Sequence, residues 1–138
     1  MDAFINAVRF GDEEEVRRGC ETGLVNTYDR YGWTAAMYAA DKNKLHILKI
    51  LVEYGADLNM TSTTYGFTPL MIACLHRNDT CQNIVKYLIE NGAGISSVNR
   101  YGCTAAHYAT KHNSPECLRL VAVDDVLDIQ DGWDKIGR

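Results

Sequence analysis

An all-α solenoid of stacked helix–loop–helix units with projecting β-hairpin turns is the fold class this sequence predicts. Two observations carry the expectation. The segment Asp29-Arg30-Tyr31-Gly32-Trp33-Thr34-Ala35-Ala36-Met37-Tyr38-Ala39 returns as Asn99-Arg100-Tyr101-Gly102-Cys103-Thr104-Ala105-Ala106-His107-Tyr108-Ala109, identical at eight of eleven positions. Between them lies a variant, Tyr65-Gly66-Phe67-Thr68-Pro69-Leu70-Met71-Ile72-Ala73, so the glycines at 32, 66 and 102 are spaced by 34 and 36 residues. A period of that length marks a repeat architecture, in which each unit buries its apolar face against the next.

Each element has a local reason. Residues 1–27 predict a capping helix pair, with Phe4, Ile5, Ala7 and Val8 on the first helix, Gly11 in the loop and Val16 on the second. The second helix is polar outside through Glu13, Glu14, Arg17 and Arg18, as the end of a solenoid requires. Units follow at 28–61, 62–98 and, shortened, 99–128; residues 129–138 read as a partial hairpin stub opening at Asp131-Gly132-Trp133. In each unit the turn glycine permits positive φ. Thr34, Thr68 and Thr104 then suit the N-cap, and Pro69 suits the first helical position, where Ala35 and Ala105 stand in the other units. Ala39, Ala73 and Ala109 are small residues at one helical depth that let inner helices approach. Leu45, Leu48, Leu51 and Val52, and then Ile84, Tyr87, Leu88 and Ile89, form apolar stripes on second helices. Gly55 and Gly92 end those helices. The middle unit has three extra residues between its helices, near Arg77-Asn78-Asp79-Thr80-Cys81.

These phrases resemble the ankyrin repeat, whose unit is about 33 residues long with a T-P-L-H-x-A phrase. Here that phrase reads Thr34 to Ala39, Thr68 to Ala73 and Thr104 to Ala109, and Gly55-Ala56-Asp57-Leu58-Asn59 is similar to the family's G-A-D-x-N ending. The resemblance spans nearly the whole chain and implies a protein-binding role: an adaptor, scaffold or inhibitor. The alternative is a structural N-terminal segment of a larger protein whose effector lies elsewhere. If nothing follows the stub, its open face implies a longer chain, a covering partner or self-association. Leu51, Asp57, Leu58 and Asn59 also resemble the pattern used by an asparagine hydroxylase of ankyrin repeats, although Asn59 reads more simply as a turn residue bonding its own backbone.

Composition narrows the function. Apolar residues make up 46% and charged residues 23% of the 138, and the net charge is −4. Without a basic stripe, a nucleic-acid partner is not expected. No stretch approaches the ~18 apolar residues of a membrane span, and the acidic start Met1-Asp2-Ala3-Phe4 is unlike a signal peptide. Cys20, Cys74, Cys81, Cys103 and Cys117 are odd in number and scattered, which fits reduced thiols in a cytoplasmic or nuclear setting. No nucleotide-binding loop, H-E-x-x-H or nucleophile–base arrangement is present, so neither an enzyme nor a cofactor is expected. Cys103, His107, His112 and Cys117 are zinc-ligand types, but their spacing is not a common zinc pattern and each has a structural role in the repeat.

The family's variable positions flank the turn glycine. The resemblance therefore implies protein contacts at Arg30, Tyr31 and Trp33; at Thr64, Tyr65 and Phe67; at Arg100, Tyr101 and Cys103; and at Gln130, Asp131 and Trp133. It also implies contacts at the inner-helix ends: Asp41 and Lys42, Leu75 and His76, Lys111 and His112. Tyr, Trp and Arg dominate binding hot spots; the competing expectation is that these aromatics pack hairpin against hairpin.

Overall fold

The computed structural model describes residues 2–75, 82–111 and 115–122. Helices come in pairs: α1 (Asp2–Phe10) with α2 (Glu13–Glu21), α3 (Ala35–Asp41) with α4 (Leu45–Glu53), α5 (Pro69–Cys74) with α6 (Gln82–Glu90), and α7 (Ala105–Lys111) with α8 (Pro115–Ala122). The short helices stack α1 on α3 on α5 on α7, and α2 packs on α4 and α6 on α8 in an outer row. Among the described residues there is no strand, and the connections before α3, α5 and α7 are tight turned hairpins. The fold is the all-α solenoid of the sequence reading.

Small residues set the inner row. Ala39, Ala73 and Ala109 are fully buried at matching depths, so no side chain holds successive short helices apart. In the cap, Phe4, Ile5, Ala7, Val8 and Val16 are buried, while Glu13, Glu14, Arg17 and Arg18 are exposed. Phe4 lies flat over Gly19, where an added Cβ would stand 2.1 Å from its ring; that contact requires glycine in mid-helix.

The outer helices bury a wider arc than one apolar row. On α4 the buried residues are Ile47, Leu48, Ile50 and Leu51, with Leu45 and Val52 half-buried. On α6 they are Ile84, Val85 and Leu88, with Tyr87 and Ile89 half-buried. The reason is that an outer helix faces both its own inner helix and a neighbouring outer one. Full burial of a leucine such as Leu48 or Leu51 contributes roughly 1.5–3 kcal/mol.

The loops after the outer helices are stapled from the preceding unit. Asn26 donates to Gly55 O at 3.1 Å and accepts from Asp57 N at 2.8 Å. Asn59 repeats this one unit on, donating to Gly92 O at 3.1 Å and accepting from Gly94 N at 2.8 Å. Asn59 thus bonds the next unit rather than its own backbone, because the return strand of chain runs directly over that loop. The inserted stretch 77–81 lies outside the described residues.

The threonine caps are not equal. Thr68 Oγ1 accepts from Met71 N at 3.2 Å, and Thr104 Oγ1 from His107 N at 3.3 Å. Thr34 occupies the same place with extended backbone, but its buried hydroxyl has no hydrogen-bond partner; its N–H instead approaches Met37 Sδ at 3.4 Å. A buried unpaired hydroxyl is destabilising, whereas a cap bond contributes about 1 kcal/mol. Thr34→Val is therefore expected to cost less than Thr68→Val by about 1 kcal/mol in urea unfolding; equal losses would mean that Thr34 caps α3 after all.

Candidate functional site: hairpin tips and inner-helix ends

Each hairpin tip carries an exposed tyrosine. Tyr31 is 64% exposed, Tyr65 49% and Tyr101 61%, a row of rings held clear of an otherwise buried apolar interior. Arg30, Thr64 and Arg100 beside them are also exposed. The Arg30 guanidinium lies over the Tyr31 ring at 5.2 Å. Tyr65 and Tyr101 stack at 5.5 Å with planes 22° apart, so neighbouring tips touch through their faces. Residues after the glycine turn inward instead. Trp33 is half-buried against Tyr38, centroids 5.0 Å apart. Phe67 is half-buried within 5.6 Å of Tyr108 and 6.4 Å of Tyr101, and Cys103 is half-buried beside them. The two expectations for these aromatics thus divide by position: tip tyrosines face solvent, while Trp33 and Phe67 join hairpin to core.

One side chain at each hairpin base organises the tip. Asp29 Oδ1 accepts from Tyr31 N at 3.0 Å and Trp33 N at 3.1 Å, and its Oδ2 accepts from the Tyr38 hydroxyl. Asn99 copies this: its Oδ1 accepts from Tyr101 N at 2.9 Å and Cys103 N at 3.1 Å, and its Nδ2 donates to Tyr108 Oη at 2.7 Å. The middle hairpin differs. Ser62 Oγ accepts only from Phe67 N at 3.0 Å, and its backbone N–H closes on Phe67 O, one residue further on than in the other hairpins. This extra residue precedes Gly66, so it lengthens the first glycine interval to 34 and narrows its difference from the second, 36. Adjacent tips are joined by Thr63 N to Gly32 O at 3.1 Å and Arg100 N to Tyr65 O at 3.0 Å, so the tips form a continuous ledge. Burial, and then the bond to Asp29, push the Tyr38 phenol above its ordinary range.

The inner-helix ends lie alongside. Lys42 is exposed and Asp41 half-buried, with Nζ to Oδ2 at 3.7 Å. Leu75 is half-buried and packs against the core, which leaves it only a partial apolar surface. His76 and His112 lie outside the described residues, as do Gln130, Asp131 and Trp133 and the side chain of Lys111.

Sequence reasoning missed the cap's contribution. Arg9 and Phe10 occupy the register of Asp41 and Lys42, one unit earlier, and Phe10 is 76% exposed. The signal was present, since Ala7 to Ala39 is 32 residues and the same offset carries Arg9 onto Asp41. Arg9, Tyr31, Trp33, Tyr38, Asp41 and Lys42 enclose a depression of about 350 Å³. A neighbouring one of about 180 Å³ shares Arg9, Tyr31 and Tyr38 and adds Asn6, Asp29 and Arg30.

Among the described residues no cluster of His, Cys, Asp or Glu is placed to hold a metal ion; of the zinc-type residues, His112 and the Cys117 side chain lie outside that set. Burial pushes the Cys20 thiol up to about 11, which keeps it protonated and unreactive at neutral pH. Among the described residues no helix is long and apolar enough to cross a membrane.

The family model for ankyrin repeats matches residues 1–62 and 60–131. Human protein phosphatase 1 regulatory subunit 27 is 37% identical over 72% of this chain and 63% of its own length. Rat ankyrin repeat and SAM domain-containing protein 6 is also 37% identical, over 71% of this chain but 11% of its own length. A probable E3 ubiquitin-protein ligase from rice is 28% identical over 98% of this chain and 27% of its own length. The chain therefore spans from about a tenth to just under two thirds of these relatives. With helix pairs, turned hairpins and a matching family model in agreement, the chain belongs to the ankyrin-repeat family, whose repeats are protein-interaction modules.

Proposed function

We propose that this chain binds a protein partner through the hairpin ledge and the adjoining inner-helix ends, acting as an adaptor, scaffold or inhibitor. The exposure of Tyr31, Tyr65 and Tyr101 on neighbouring tips supports this reading most strongly. Exposed aromatic surface on a soluble fold marks interaction sites, and tyrosine binds with little loss of conformational entropy. A ledge joined by backbone bonds loses little further freedom on binding. The role is binding rather than catalysis, in a cytoplasmic or nuclear setting.

A second reading, a recognition segment within a larger protein, is favoured by the greater length of the relatives. Both predict the same surface. Because the human relative is named as a regulatory subunit of protein phosphatase 1, that phosphatase is the first purified partner to try beside capture from native extract. The combined variant Tyr31→Ala, Tyr65→Ala, Tyr101→Ala is expected to keep its helical circular dichroism and to lose at least tenfold in partner affinity, about 1.4 kcal/mol. Equal binding by the folded variant would move the interface off the ledge.

A further inference from the structure

The depressions beneath the first hairpin are lined by more cations than carboxylates. Arg9, Arg30 and Lys42 bring three cations to the two joined depressions, against the carboxylates of Asp29 and Asp41. The chain as a whole carries −4, so this is a basic site on an acidic protein. The two carboxylates are also occupied. Asp29 accepts from three protein donors, and Asp41 lies 3.7 Å from Lys42. Arg9 and Arg30 are in no ion pair among the described residues; each lies over an aromatic ring instead, Arg9 over Phe10 at 6.0 Å and Arg30 over Tyr31 at 5.2 Å. On the outer face the arginines are already engaged, Arg17 with Glu53 at 3.4 Å and Arg18 with Glu15 at 2.7 Å. Arg9 and Arg30 therefore bring charge with no carboxylate partner among the described residues to the joined depressions, beside a Lys42 that Asp41 engages through a single contact, with Tyr31, Trp33 and Tyr38 rings in the wall.

We infer that this depression receives an acidic peptide segment of the partner, with a Glu or Asp carboxylate held between Arg9 and Lys42. The inference rests on the protein-binding reading above and names its partner chemistry. Charge complementarity selects the occupant: guanidinium groups take carboxylates in paired hydrogen bonds, and a like-charged basic segment is repelled. The aromatic wall and the exposed Phe10 give an apolar neighbour of that carboxylate somewhere to rest. About 350 Å³ accommodates one or two side chains rather than a folded domain.

The test uses fluorescein-labelled short peptides of one scaffold, Gly-Leu-Glu-Glu-Tyr-Gly, with the two Glu replaced by Gln, phosphoserine or Lys in the comparison peptides. Anisotropy is read against wild type, the double variant Arg9→Gln, Lys42→Gln and a control of equal charge change on the outer face, Arg17→Gln, Arg18→Gln. The Glu peptide is expected to bind wild type and the control alike, to weaken at least tenfold on the double variant, and to weaken with added salt. Equal binding of the Glu and Gln peptides, binding of the phosphoserine peptide alone, no binding by any peptide, or equal weakening in both double variants would overturn it. Partner capture that survives Arg9→Gln, Lys42→Gln but is lost with the tip tyrosines would remove this inference while leaving the binding surface standing. Capture unaffected by either set would remove both.

Discussion

Gly32→Ala is expected to destabilise the domain by about 3 kcal/mol, several times a typical surface substitution. Two costs add at this residue. Its φ is 79°, in the left-handed region, where an L side chain is disfavoured by about 1–2 kcal/mol. An added Cβ would also stand 1.8 Å from Thr63 Oγ1, 3.0 Å from Thr63 Cβ and 3.3 Å from Thr63 N. Rotating the hydroxyl away relieves the first contact but not the other two, so the second hairpin must retreat. That retreat stretches the bond from Thr63 N to Gly32 O and opens the ledge between the first two tips. Gly23 is the internal control. Its φ is 89° and nothing lies within 4 Å of the site an added Cβ would take, so Gly23→Ala should show the backbone cost alone, about 1 kcal/mol. Urea unfolding of both variants separates the terms. Equal losses would mean that the contact between hairpins adds nothing.

This pair also shows what the sequence makes legible. Glycine before a threonine cap and a helical phrase reads as a turn whatever lies around it, because backbone conformation is a local property. That the first turn must also be bare for the sake of Thr63 is a fact of stacking, set by how closely one unit approaches the next. The same division runs through the candidate site. Tyr31, Tyr65 and Tyr101 were readable because they recur directly before a glycine. That Trp33 and Phe67 turn inward was open, since an aromatic after the turn serves equally as an anchor or as packing. Arg9 and Phe10 escaped because the cap lacks the hairpin that draws attention to the other units. Thr34 escaped differently. Its threonine is in the capping position, but Met37 approaches the backbone N–H there and the hydroxyl is left without a partner.

Asp29→Ala is expected to cost about 2–4 kcal/mol, and Asp29→Asn 1 kcal/mol or less. Alanine removes the acceptor for Tyr31 N, Trp33 N and the Tyr38 hydroxyl together, so the tip loses its shape and a half-buried phenol loses its partner. Asparagine keeps the oxygen that both N–H groups need. Its amide then meets the phenol oxygen as a donor, the arrangement that Asn99 already makes with Tyr108. The third hairpin is thus a natural precedent for the mild variant. The pH dependence separates the two causes acting on Tyr38. Its folded-state acidity is weakened first by burial and then by Asp29, so the folded state holds the phenol proton to higher pH than the unfolded chain does. Stability from that difference is complete below the unfolded value of about 10 and declines as pH rises above it. Alanine at 29 should reduce this alkaline decline without abolishing it, because burial remains. Unfolding curves for wild type and Asp29→Ala at rising alkaline pH read the difference directly. If the two lose stability in parallel, the Asp29 bond contributes nothing to holding that proton, and its role is confined to shaping the tip.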